Sequence, residues 1–139
     1  MAEPLLFFDG GEVEAATAAA NRRERVIAFS DAASNRLSAA GLPFSRSIEA
    51  LGDDPELPLY RAAADWTRAL GTRAVDGNAQ TLKEALRYRE TTLWWWAELY
   101  LHHNTDAVRR VRFLETASRV IEHFDAAAIR AEGLAMDET

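Results

Sequence analysis

Apolar positions in the first stretch of the chain fall in short runs, separated by alanine-rich stretches of helical composition. Leu5-Leu6-Phe7-Phe8 predicts a buried strand stopped by Asp9-Gly10-Gly11, and Val26-Ile27-Ala28-Phe29 predicts a second. Between them, Glu12 to Arg23 is a run of good helix formers. It carries acidic residues in the first turn and Arg22-Arg23 in the last, the order that suits the helix dipole. Ser30 or Asp31 is placed to cap a short helix ending at Gly41, where glycine can close it in the left-handed conformation. Leu42-Pro43-Phe44-Ser45 then predicts a third, edge-like strand, because proline cannot donate to a ladder. Runs alternating in this way describe a parallel sheet with crossover helices. The expected fold class is α/β, a Rossmann-like N-terminal half with a short parallel sheet followed by a helical subdomain.

After Gly52-Asp53-Asp54-Pro55 the pattern is helical throughout. Tyr60, Ala63, Trp66 or Thr67, and Leu70 recur at spacings of three and four, an apolar stripe that breaks near Gly71. Asp76-Gly77-Asn78 reads as a turn, and Leu82 and Leu86 lead into Leu93-Trp94-Trp95-Trp96-Ala97. Successive residues on a helix point about 100° apart, so three adjacent indoles spread over roughly half the circumference. A helix that buries one stripe leaves at least one of them in water, unless it is packed on several sides or covered by a partner. The face holding Leu93, Trp96, Ala97 and Tyr100 is the expected core face, and Trp94 and Trp95 are the candidate interface residues. His102 to Asp106 separates this helix from the next, with Asn104 or Thr105 as its cap. Phe113, Leu114, Ala117, Val120, Ile121 and Phe124 make the cleanest amphipathic helix in the chain. The expected organisation is a single α/β domain over residues 1–128, in which residues 1–55 form the Rossmann-like half and residues 56–128 the helical subdomain. Residues 129–139 are expected as an acidic C-terminal tail, frayed from Gly133 onward.

Composition narrows the function classes. A chain of 139 residues, 48% hydrophobic and 27% charged, is ordinary for one globular domain with a real core. A formal charge of -6 and a pI near 5.1 argue against nucleic acid or an anionic membrane as partner. The absence of cysteine removes disulfides, thiolate metal sites and a cysteine nucleophile together. Adjacent His102 and His103 diverge on a helix and cannot chelate one metal from the same face. With His123 the only other histidine, no metal site is expected. A histidine base would suit transfer to an alcohol, yet histidines at a helix end are ordinarily just solvated. The amino terminus lacks a basic n-region, and Leu5–Phe8 is too short for a signal core or a membrane span. The expectation is a cytoplasmic protein with no membrane span and no cofactor.

Two places carry candidate chemistry. Tyr88-Arg89-Glu90-Thr91-Thr92 precedes the Trp helix, where free N–H groups and the positive dipole end can hold an anion, with Arg87 and Arg89 adding charge. The plain alternative is capping by Thr91 or Thr92 and an arginine paired to a carboxylate. The tryptophans could form a platform for a sugar ring or an apolar acceptor, or simply be core. Asp9, Gly10 and Gly11 lie where doubly wound folds bind ligands, beyond the carboxyl end of a strand. They match neither the dinucleotide glycine fingerprint nor a P-loop, so the alternative is a tight strand-to-helix turn. Asp31 stands where a ribose hydroxyl could be met, or where an N-cap is needed. No Asp-x-Asp pair and no Ser-His-Asp order is present.

Gly41-Leu42-Pro43-Phe44, Asp65-Trp66 and Tyr88-Arg89-Glu90-Thr91-Thr92-Leu93-Trp94, in that order along the chain, resemble the amino-terminal region of bacterial surface-polysaccharide glycosyltransferases of GT-B-like, two-Rossmann architecture. Glu90 stands where that family usually has glycine. The resemblance implies an acceptor-side domain, or a truncated form, of a surface-carbohydrate glycosyltransferase that is not active alone. It also implies a C-terminal donor-binding domain as partner and a nucleotide sugar or saccharide as ligand. The rival expectation is a stand-alone protein-interaction module, or a homo-oligomer, built on the Trp-rich helix. A small nucleotide-binding regulator is disfavoured for want of a phosphate loop.

Overall fold

The computed structural model of the chain describes residues 2–75, 77, 79–102 and 106–134. The elements, in order, are β1 (Glu3–Phe8), α1 (Val13–Asn21), β2 (Arg25–Ala28), α2 (Asp31–Ala39), β3 (Ser45–Arg46), a 3₁₀ turn (Ser47–Leu51), α3 (Glu56–Gly71), α4 (Leu82–Ala85), β4 (Arg87–Tyr88), β5 (Thr91–Thr92), α5 (Trp94–His102), α6 (Asp106–His123) and β6 (Ala126–Glu132). They form two compact units, Met1–Asp53 with Thr116–Thr139, and Asp54–Glu115. The second half of α6 therefore groups with the sheet, whereas the sequence pattern assigns it to the helical subdomain.

The first unit is α/β and Rossmann-like. Its sheet is all parallel in the order β3-β2-β1-β6, with β1 flanked by β2 and β6. Leu5 to Phe8 are all buried, as an uninterrupted apolar run must be when a parallel strand is covered on both faces. Strand alternation sends Leu6, Phe8, Val26 and Ala28 into one core cluster with Ala16 and Ala19 of α1 and Ala33 and Leu37 of α2. Ser30 caps α2, its Oγ accepting from the Ala33 N–H at 3.1 Å.

Two expectations change here. The third strand is Ser45–Arg46 rather than 42–45: the ladder to β2 pairs only Ile27↔Ser45 and Ala28↔Arg46, and Leu42 and Phe44 pack on the core cluster from outside it. A fourth strand, β6, occupies residues that include the start of the expected acidic tail: it pairs with β1 from Pro4↔Ala128 to Phe8↔Glu132. Residues 135–139 of that tail lie outside the described residues.

In the second unit α3 buries Leu59, Ala63, Ala64, Thr67 and Gly71: Ala63 and Thr67 of the expected stripe are buried, whereas Tyr60 is exposed and Leu59 is buried in its place. A Cβ added at Gly71 would lie 2.6 Å from the indole of Trp94, so glycine is what lets that ring close on α3. Trp94 is 3% exposed and Trp96 is 74% exposed. The expected core face of α5 is thus corrected: Trp94, expected at an interface, fills the space at Gly71, and helical geometry turns Trp95 and Trp96 away. The Trp94 Nε1–H donates to Glu98 at 2.8 Å, which satisfies its one polar atom. Along α6, Val108, Ala117 and Val120 are buried; Ala117 and Val120 belong to the expected stripe, whereas Leu114, also expected on it, is exposed. The expected turn at Asp76 and Asn78, and His103, Asn104 and Thr105, lie outside the described residues.

Candidate functional site

The segment before the Trp helix is a β-hairpin, not a free helix start. Arg87 pairs with Thr92 and Tyr88 with Thr91, leaving Arg89-Glu90 as the loop. Arg89 has φ +53°, at the loop position where such hairpins favour glycine. Thr92 caps α5 and ties it to α4: its hydroxyl accepts from the Trp94 N–H at 3.2 Å and donates to the Lys83 carbonyl at 2.6 Å. The start of α4 is held by a reciprocal box in which Glu84 accepts from the Thr81 N–H at 2.8 Å and Thr81 Oγ1 accepts from the Glu84 N–H at 3.3 Å. The Thr81 backbone and hydroxyl bonds, with the charge of Arg87, hold the Glu84 carboxyl below the usual glutamate range.

These bonds fold α4, the hairpin and the first turn of α5 around a groove of about 410 Å³ lined by Thr81, Lys83, Glu84, Arg87, Glu90, Thr91, Thr92 and Trp95. The Lys83 ammonium stands 4.2 Å from the centre of the Trp95 ring, a cation–π arrangement. Of the residues proposed from sequence, Arg87, Thr91 and Thr92 meet here, joined by Trp95. Tyr88 and Arg89 do not line the groove. Both are exposed, and the Arg89 guanidinium lies 5.3 Å from the Tyr88 ring. Lys83 and Glu84 are not singled out by sequence reasoning, although Thr81-x-x-Glu84 is a legible capping signature that fixes their helix.

Asp9, Gly10 and Gly11 belong to the other unit, at the carboxyl end of β1. A doubly wound sheet takes ligands where strand order reverses, which is here between β1 and β6. That crevice is filled by the chain itself. A Cβ on Gly133 would fall 1.9 Å from the Gly11 nitrogen, and one on Gly11 would strike the Glu132 side chain. The Asp9 N–H donates to the Glu132 carbonyl at 3.2 Å, and Arg36 donates to the Gly10 carbonyl at 2.9 Å. The candidate ligand turn is therefore a packed turn, and Asp9 Oδ1 is buried there with no hydrogen-bond partner among the described residues. Asp31 pairs with Arg46. Among the described residues no group of histidine, aspartate or glutamate side chains could hold a metal ion. No helix among them is long and apolar enough to cross a membrane. No family model, curated protein or solved structure matches the chain.

Proposed function

We propose that the chain is the acceptor-side α/β domain of a bacterial surface-carbohydrate glycosyltransferase, a cytoplasmic enzyme that works only together with a donor-binding domain. The observation that carries this reading is β6. It is a parallel strand beside the central β1, yet residues 127–131 along it are exposed. Parallel strands are ordinarily covered on both faces, and the order β3-β2-β1-β6 is that of the first four strands of a doubly wound sheet. An open fourth strand is where such a sheet would continue or be covered. The filled crevice between β1 and β6 favours placing the nucleotide of the donor on another domain, and the resemblance of the Tyr88–Trp94 segment supplies the reaction class.

Retention of ligands on the immobilised chain tests the reading. Surface oligosaccharides should be retained and nucleoside diphosphates should pass through. Retention of the nucleotides with none of the saccharides would overturn it. A second reading, a self-association module, is favoured by the Trp helix: Trp95, Trp96, Leu99 and Tyr100 are all exposed, at i,i+4 spacings that make them one patch.

A further inference from the structure

We infer that the groove between α4, the β4–β5 hairpin and the first turn of α5 binds a sugar bearing one carboxylate, its ring against Trp95 and its acid group between Lys83 and Arg87. The inference rests on the carbohydrate reading above and names the ligand class within it. The groove, at about 410 Å³, is of a size that takes a small molecule. Trp95 is its aromatic surface, 55% exposed, and the C–H face of a pyranose is the kind of apolar surface an indole accepts.

The polar groups around the indole divide into used and unused. Glu84 and Thr81 satisfy each other, and the Thr92 hydroxyl is taken by Lys83 and Trp94. Lys83 and Arg87 form no ion pair among the described residues, and Glu90 and Thr91 make no side-chain hydrogen bond there. Neither cation is thus tied to a carboxylate by an ion pair, although Arg87 acts on Glu84 through space and Lys83 rests on the indole, while a carboxylate and a hydroxyl are left for sugar hydroxyls. Lys83 stands over the indole, so a sugar ring stacked on that face takes the place of the ammonium, whose flexible stem lets it turn to the acid group. The charge balance selects among anions. With Glu84 and Glu90 also in the lining, two cations face two carboxylates, so the groove has no net positive charge to hold a phosphate or diphosphate by charge alone, and a ligand must gain from the indole and the unused hydroxyl as well as from the cations. A singly charged ring with hydroxyls suits every unused group.

The test is an NMR shift titration of the full chain with methyl glucuronide, methyl glucoside and inorganic phosphate. Saturable shifts confined to residues 81–95 are expected with the glucuronide, with binding about tenfold weaker for the glucoside, which lacks the charge-assisted bonds. Phosphate should produce no saturable shift there. Arg87→Gln and Trp95→Ala should each weaken glucuronide binding about tenfold. Arg68→Gln, a cation on α3 already paired with Asp65, should leave it unchanged. If Trp95→Ala fails to fold, Arg87→Gln decides alone. Equal affinity for the glucoside, phosphate binding at the same residues, indifference to Arg87→Gln, or no saturable shift at all would overturn the assignment. Retention of neutral oligosaccharides together with any of these would leave the carbohydrate reading standing, whereas loss of both would end both.

Discussion

Gly71 and Trp94 are complementary: the absence of one side chain makes the site for the other, and the indole meets α3 where a methyl group would overlap its Nε1. Removing a buried ring of this size leaves a cavity, so Trp94→Ala should lower stability by roughly 3–5 kcal/mol. Trp96→Ala removes an exposed ring and should change stability by less than about 0.5 kcal/mol. Urea unfolding of the two variants checks the contrast, and equal midpoints would refute the placement of both rings. Gly71→Ala forces the opposite defect, overpacking, and should cost roughly 1–3 kcal/mol by the same measurement. An unshifted midpoint there would mean the ring can move aside. Helical geometry makes it legible that three adjacent indoles point three ways. Which of them is buried depends on a glycine one helix away, and that pairing leaves no mark in the local pattern around the tryptophans.

At the starts of the strands, charge does the tying. Glu24, just before β2, accepts from Arg22 at 2.8 Å and from Arg130 of β6 at 2.5 Å, while Glu3 of β1 accepts from Arg25 of β2 at 2.8 Å. Burial pushes the Glu24 carboxyl up, but the bonds and charges of Arg22 and Arg130 outweigh it and leave it below the usual glutamate value. The Arg25 hydrogen bond and charge lower Glu3 in the same direction. A carboxyl depressed in the folded state contributes stability that is fully present above its unfolded pKa and is lost as pH falls through the folded value. The melting temperature should therefore drop from about pH 5 toward pH 3, and Glu24→Gln should lower it near neutrality while making the acid-side drop shallower. Parallel melting curves for the two proteins across that range would show that Glu24 does not link the strands. The same ion pair explains why β6 is hard to read from sequence. β1 and β2 announce themselves as apolar runs, whereas Ala126-Ala127-Ala128-Ile129 has the composition of a helix and neither alternation nor a β-branched majority. Its strand state comes from the ladder to β1 and from Arg130 on Glu24, both long-range. The candidate groove is half legible for a related reason. Arg87, Thr91 and Thr92 are neighbours in sequence, but Lys83 and Trp95 reach them only because the hairpin folds α4 back toward α5.

On the scale of the molecule, two surfaces stand open: the β6 strand in one unit and the aromatic patch of α5 in the other. Isolated exposed apolar side chains are normal, but Trp96 and Tyr100, 74% and 72% exposed and one turn apart, flanked by Trp95 and Leu99, form a contiguous patch of the kind that marks an interaction site. A second copy of the chain is the cover that the self-association reading calls for, and it can be tested directly. Light scattering over a concentration series should accordingly show reversible self-association. Placing charge in the patch, by Trp96→Glu with Tyr100→Glu, should return the protein to a monomer, because a buried unpaired carboxylate disfavours the associated state strongly. The sheet edge is the competing origin, since an open strand can recruit another. Ile129→Lys, which charges an exposed position of β6, separates the two sources. If the helix is responsible, Ile129→Lys associates like the parent and only the α5 variant is monomeric. If the order is reversed, the contact is strand to strand. A parent protein that stays monomeric at every concentration would remove the self-association reading and leave the patch to a different partner.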